Sequence, residues 1–546
     1  MRRRFFLLLL IPTSLLAQDK VNVSVSNYLR YGTGVDGFLS QKRDYVENLT
    51  DSRIALYDFL VGFRLLHDAP PEYGLEFTGV QKRYLEFKKD DLYIRAGDSY
   101  SLFGRGLALN LFENRPLAYD TGVDGIKMEY KTRIMKFALT GGTIRYRDVV
   151  DLSRSERYDI RGGSLELAPY SSFSFGANFV SGKFRILDTF PDQHAQFDVP
   201  EFFGRVQVGE VDMFASYAEK RTTVFTPDPI FGARPTHRGS GFYASIGFTQ
   251  ESFGVTIDYK DYRFGIADPY DRVNPNRATK AYAFQNMPIV HKEHGFTLLS
   301  RYPHIIDFND EVGYQIEINY TIFDHLTGII NASGASRHYT FSPTGDTNQI
   351  FQPTFASAPR KSSFLPDFSS KYSPFWEVYA EWQYFFEVDG TDYVLVGFNR
   401  RSDVTADEVL YTSSGPKIAA TSSIGVPLAL QYTLPAGWVV KFVAERQWMH
   451  EEKNPSQTKF FNQLLALSIL RSPDYSVTLR YEFTSDKATV DGRKDWTALD
   501  IGFRLSKSHN ITLTAGGDRG GQICANGVCR VVNPFLGFRA SILSYL

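Results

Sequence analysis

Cysteine is almost missing from this sequence: 546 residues contain two, Cys524 and Cys529. That count rules out a disulfide scaffold and a multi-cysteine zinc fold. An excess of one charge is missing as well. Lys and Arg number 60 against 61 Asp and Glu, for a net charge of −1. There is no basic footprint for nucleic acid. Long apolar runs are absent beyond the N-terminus. A membrane-crossing helix needs about 20 consecutive apolar residues, so helical spans are excluded. Catalytic signatures are absent too: no Gly-x-Ser-x-Gly elbow and no Walker loop occur. His291-Lys292-Glu293-His294 sets imidazoles beside a carboxylate but lacks the H-E-x-x-H order, and it reads as a solvated loop. Neither an enzyme nor a cofactor or metal is expected.

Aromatic residues, by contrast, are plentiful: 15% of the chain, with 32 Tyr and 45 Phe. Rings in that number suit a protein with two membrane interfaces to mark. Mean hydropathy is −0.25. A membrane barrel reaches such a value because every second strand residue faces a wet lumen. The N-terminus reads as a secretory signal. Arg2, Arg3 and Arg4 form its basic region, Phe5 to Ile11 its apolar region, and Leu15-Leu16-Ala17 its small-residue end. Residues 1–18 are therefore expected to be the signal and 19–546 the mature chain, placed in the outer membrane.

Period two dominates that chain, in segments of about ten residues, the length a tilted strand needs to cross a bilayer. From Val312 to Ile322 one face is Val312, Tyr314, Ile316, Ile318, Tyr320 and Ile322; the other is Gly313, Gln315, Glu317, Asn319 and Thr321. Tyr475, Val477, Leu479, Tyr481 and Phe483 alternate likewise with Ser476, Thr478, Arg480, Glu482 and Thr484. Rings at both ends of an aliphatic stretch are the girdle of a lipid-facing strand, whereas a soluble sandwich would bury that face. Connections alternate too. Short turns lie at Lys131-Thr132, Gly209-Glu210, Phe323-Asp324, Asp389-Gly390 and Ser472-Pro473. Long polar stretches separate them, among them 264–308, 334–374, 402–422, 449–457 and 517–533. Short periplasmic turns and long outer loops mark an outer-membrane barrel. Nineteen or so strands follow Asp124, and about five precede it, near 21–31, 54–66, 72–79, 83–88 and 91–98. The expected fold is an all-β, antiparallel, up-and-down transmembrane barrel of about 24 strands, range about 20–26. Leu536, Phe538, Ala540, Ile542 and Leu546 mark a closing strand. Outer-membrane lipid and the barrel-assembly machinery are its expected partners.

Two stretches interrupt the strand pattern. In Cys524-Ala525-Asn526-Gly527-Val528-Cys529 the Asn-Gly pair turns the chain and sets the cysteines opposite each other, which favours a local disulfide. Two cysteines without a nearby His make a poor metal site. The other stretch, Gly97 to Gly125, holds Arg105, Glu113, Arg115 and Asp120 among apolar residues. Residues 99–121 read either as a loop folded into the lumen, with those four charges as a constriction, or as an ordinary outer loop.

Gly97, Tyr100, Phe103, Gly104, Gly106 and Leu107, followed by Glu113 and Arg115, resemble an uncharacterised family of outer-membrane barrels found in Bacteroidota-type bacteria. Arg519, Gly520, Gly521, Cys524, Gly527, Val528, Cys529 and Arg530 resemble that family's C-terminal signature. The resemblance implies the compartment and the fold; it brings no substrate and no binding residue.

A barrel of this size has a diameter of about 45–50 Å, and barrels near it are usually plugged. The strand pattern starts straight after the signal, at Val21, so filling must come from long loops, from 99–121 or from a partner. Two functions are open. One is a channel or porin-like protein for polar solutes, with inward Glu317, Glu377, Glu381, Lys441, Glu445, Arg480 and Glu482 of mixed sign. The other is a structural or secretion-associated barrel that docks an envelope protein through 264–308 and 334–374.

Overall fold

The computed structural model describes residues 21–546 except 190–192, 226–235, 345–353, 361, 363, 389, 413–414 and 454–455. The expected signal, residues 1–18, and Asp389 of one expected turn lie outside the described residues.

Twenty-four of the described strands pair antiparallel into one sheet. The sheet closes on itself: Val21–Asp36 pairs with Gln41–Leu56 on one side and with the last strand, Phe535–Tyr545, on the other. Closure leaves no open edge, which is what a β-structure in lipid requires. None of the described helices is long and apolar enough to cross a membrane, and strands do the crossing.

Five strands precede Val123, as the pattern required, but two limits differ. Segments 72–79 and 83–88 fall on a single strand, Phe77–Lys89. The strand Gln41–Leu56 escaped the pattern. Its lumen side carries buried Tyr45 and Leu49, while Lys42, Asp44 and Asn48 on the other side are polar. That part of the strand stands above the lipid zone, so its exposed apolar residues are confined to its end, at Ile54 and Leu56. The same cause shortens the outer loops. Stretch 402–422 is largely strand, because Tyr393–Thr412 and Gly415–Leu434 run for 20 residues each. Crossing lipid takes about 9–11, so their outer halves stand clear of the bilayer. Residues 449–453 and 456–457 are strand for the same reason, within Trp438–Lys453 and Ser456–Arg471.

Burial is inverted relative to a soluble protein. Leu479 is 50% exposed and Val477 41%, while Glu482 is 5% exposed and Thr484 0%. The outside is an apolar band and the inside holds the buried groups, as in a wall facing lipid. At the short-turn end of that band the Trp382 indole donates to the Tyr320 hydroxyl at 2.7 Å. The pair sits where amphipathic rings meet the headgroup level.

Candidate functional site: the occupied lumen

Among the segments that leave the wall and pack inside it are 99–122, 264–309 and 519–533, joined by the shorter connection 69–76, whose Glu72 pairs with the inward Arg30 and Arg539. The first turns inward on glycines. Gly104 and Gly106 have φ of +56° and +91°, a left-handed backbone that other residues rarely adopt. A Cβ on Gly106 would also lie 2.7 Å from the Asn286 carbonyl oxygen of the second segment. The two segments are hydrogen-bonded side by side: Asn110 N donates to Phe284 O at 2.8 Å, and Gln285 Nε2 to Leu107 O at 3.0 Å.

One side of this insert is apolar. Phe103, Leu107, Leu109, Tyr282, Phe284 and Met287 form one buried cluster with the inward residues Ile144, Tyr158, Ile160, Val180, Phe197 and Tyr262. The Tyr282 ring lies 4.6 Å from Phe197, and Phe284 meets Tyr158 edge-on at 5.2 Å. Lys220 is buried here with its ammonium 4.2 Å from the Tyr282 ring and 4.5 Å from Phe264. It donates to the Lys280 carbonyl, so the buried amine keeps a hydrogen-bond partner.

The other side is ionic, and it follows the chain. Lys292 pairs with Glu317 at 2.9 Å, and His294 with Glu377 at 3.0 Å. The Thr297 and Leu298 amides donate to Glu445 at 3.0 and 2.7 Å. Arg301 pairs with Glu482 at 2.7 Å. Residues 292–301 thus sweep along the inner wall, meeting one carboxylate after another on successive parts of the sheet. His291 to His294 is therefore no solvated loop. Each carboxylate is satisfied by the insert, as buried charges must be. Leu299 sits against Gly425, where a Cβ would fall 2.4 Å from its Cδ2.

Above these contacts His304 lies 2.9 Å from Asp403 and 3.4 Å from Glu311, its ring stacked on Phe375 at 4.1 Å. Burial pushes its pKa down, but Asp403 and Glu311 outweigh burial and raise it to about 9. His291 has burial and the His304 charge against protonation and is lowered to about 3. One ring is a cation at neutral pH and its neighbour is not.

The third segment holds the disulfide. Cys524 and Cys529 are bonded across a hairpin whose strands are Gly521–Ala525 and Val528–Val532. Its turn touches the insert: Asn526 N donates to Glu293 at 2.6 Å. Arg519 pairs with Glu482 at 3.2 Å, beside Arg301.

The four charges singled out in the sequence do not meet in one ring. Glu113 lies between Arg64 and Lys82, each at 2.7 Å. Asp120 lies 3.0 Å from Lys82 and accepts from the Tyr100 hydroxyl at 3.0 Å. Arg115 pairs with Glu47. Those three fasten the first segment to the early strands. Arg105 points elsewhere, 5.0 Å above the Phe214 ring. It lines a hollow of about 440 Å³ with Glu129, Lys136, Glu166 and Arg205. The inward residues Glu445 and Arg480 do not pair with residues 99–121: Glu445 is engaged by Thr297 and Leu298, and Arg480 by Asp518. The main filling, 264–309, covers the stretch 264–308 that its sequence marks as an outer loop. A signal lies in two apolar clusters, Ala281-Tyr282-Ala283-Phe284 and Met287-Pro288-Ile289-Val290, set close together in a stretch that is otherwise polar.

A closed wall with an apolar outside, filled by its own loops, defines a plugged transmembrane β-barrel. Residues 53–546 match a family of unknown function, DUF6029, and the chain belongs to that family. Among solved structures, 96% of the chain aligns with the siderophore receptor PirA from Pseudomonas aeruginosa, at 8% identity, 80% of that chain and a TM-score of 0.46. It aligns over 96% of its length with the copper transporter OprC, at 10% identity, 81% of that chain and a TM-score of 0.43. The P pilus usher PapC translocation pore aligns with 96% of the chain at 8% identity, 99% of that chain and a TM-score of 0.41. At these values the fold rests on the strand pairing itself. No curated protein matches.

Proposed function

We propose that this protein is an outer-membrane channel for polar solutes, gated by its own inserted loops. It is exported by its signal peptide, assembled by the barrel machinery and typical of Bacteroidota-type bacteria. The observation that carries the reading is the split interface of the insert. Its apolar side holds residues 99–122 and 278–290 permanently. Its ionic side, residues 292–301, is a row of contacts that water and ions can replace. Releasing that row opens a path lined by Glu317, Glu377, Glu445 and Glu482, while the barrel and the apolar anchor stay folded. Glu113, Arg115 and Asp120 brace the fixed side, and Arg105 faces the chamber beneath it. The test is planar-bilayer conductance of the intact protein and of a variant lacking residues 291–302. The variant should assemble and conduct several-fold more. Equal conductance from an assembled barrel overturns the reading.

A second reading, docking of an envelope protein, keeps one observation in its favour. Phe364, Leu365 and Phe368 are exposed on the outside of the wall, with Phe364 stacked on Tyr259 at 4.5 Å. With 264–309 inside, that role falls to 334–374 alone. Retention of a stoichiometric envelope protein after gentle extraction, lost in Phe364→Ser/Phe368→Ser, would favour it.

A further inference from the structure

The outside of the wall carries a second feature, opposite the apolar side of the insert. On the strands Met135–Arg147, Ser155–Tyr170, Phe173–Ile186 and Gln193–Val208, residues facing out alternate with those facing the insert. Low on this outer face lie Leu139, Leu165, Phe179 and Phe202, all exposed. One outward position further up, toward the long-loop end, the character changes at once. Arg161 pairs in register with Gly141 and Ser181, and Lys183 with Asp159 and Gln196. Further cations follow: Arg145 is 66% exposed, Arg157 64% and Arg221 51%.

The small residues Gly141, Thr143 and Ser181 leave a shallow hollow of about 660 Å³ on this face. Arg161 and Lys183 border it, as do the acceptors Asp159, Gln196 and Asp198. Arg145, Arg157 and Arg221 each have a carboxylate within reach. Arg161 and Lys183 make no ion-pair contact within 4 Å among the described residues; Lys183 stands across from Asp159, whose carboxylate is already paired with Arg157. Arg161 and Lys183 occupy diagonal positions on paired strands, about 7–8 Å apart at the backbone. Two long cationic side chains at that spacing converge on one phosphate. The neighbouring carboxylates and amide suit sugar hydroxyls, and the rings just below suit acyl chains.

We propose that this hollow binds a phosphorylated, multiply acylated glycolipid of the outer leaflet, with its phosphate on Arg161 and Lys183, its sugar over Ser181 and its chains along Phe179 and Phe202. The proposal rests on the outer-membrane placement above. It adds an outward-facing lipid site that channel gating does not require.

The test uses the full protein, extracted from outer membranes in mild detergent and read by native mass spectrometry. It is titrated with a bisphosphorylated acylated diglucosamine, with phosphatidylglycerol and with inorganic phosphate. The native chain should carry the glycolipid. Arg161→Glu/Lys183→Glu should lose about tenfold or more in affinity, the scale of one charge-assisted contact. Ser181→Trp, which fills the hollow and spares the charges, should lose binding too. Lys459→Glu, an exposed cation on a distant strand, should bind as the native chain does. Unchanged binding in the charge-reversed or the filled variant overturns the site. So does phosphatidylglycerol binding as tightly, or full displacement by inorganic phosphate. Cell fractionation separates the two claims: a chain found outside the outer membrane overturns the placement, and a chain in the outer membrane without the glycolipid overturns the site alone.

Discussion

The two sides of the lumen insert contact the same barrel by different physics. Residues 278–290 meet the wall mainly through rings and aliphatic side chains, with one ion pair, Lys280–Glu156, and residues 292–301 meet it mainly through carboxylates, with Leu298 and Leu299 buried among them. Apolar burial is indifferent to charge, salt and pH within the stable range. Ion pairs are not: salt screens them and a change of protonation cancels them. A loop held both ways is anchored at one end and releasable at the other. That division, rather than the mere presence of a plug, is what a gate needs.

The largest expected effect lies on the apolar side. Tyr282→Ala removes a fully buried ring that touches Phe184, Phe197 and Phe284. It should cost the insert about 3–5 kcal/mol, as ring truncation in a core does. Hydrogen exchange should show residues 99–122 and 264–309 losing protection together, while the wall keeps its own. Loss confined to residue 282 and its neighbours would mean that the two segments are not one unit.

A smaller effect is expected on the ionic side, and it should differ in kind. Glu482→Gln removes the shared partner of Arg301 and Arg519. About 2–4 kcal/mol should be lost locally, because two guanidinium groups stay behind poorly paired. Exchange should rise over residues 292–301 and leave 278–290 protected. Glu317→Gln should do less, about 0.5–1 kcal/mol, since both partners there are partly exposed. If Glu482→Gln released the apolar side as well, the division would be false.

His304 adds a pH dependence to the same side. Its folded pKa, about 9, lies above the unfolded value near 6.5. Its contribution is therefore complete below pH 6.5 and disappears as pH rises through 9. Conductance should rise a few-fold between pH 7 and pH 9.5, and His304→Gln should flatten that rise. A fall over the same range would contradict the assignment.

Reducing Cys524–Cys529 should do least. The bond closes a short loop, worth about 1–2 kcal/mol at most. The hairpin should keep its place through Asn526 and Arg519, and alkylation should find two thiols only after reduction. Collapse of the whole insert on reduction would make the hairpin the latch instead.

Much of the wall was legible because period two is the same signal in sequence and in space. Val312 to Ile322 and Tyr475 to Thr484 show it directly. Legibility failed where lipid ends. The outer halves of Gln41–Leu56 and Tyr393–Thr412 keep strand geometry, but water replaces lipid there and no apolar face survives. The inward carboxylates Glu317, Glu377, Glu445 and Glu482 were legible as residues facing the lumen. Their partners were not, because pairing with Lys292, His294 and Arg301 depends on a loop route that no local pattern encodes. Residues 99–121 announced themselves through Gly104 and Gly106. Their charges nonetheless bind Arg64, Lys82 and Glu47, far away in sequence.

The most direct test locks the ionic side in place. Lys292→Cys/Glu317→Cys, joined by a disulfide-containing bis-maleimide that spans the lost side chains, replaces an ion pair of 2.9 Å by a crosslink that reduction removes. Solute flux through reconstituted protein is then measured oxidised and reduced, beside the native chain under both conditions. The account predicts that the oxidised variant is closed, that reduction restores flux, and that the native chain is indifferent to the reductant. Equal flux from the variant in both states, or none in either, would contradict it.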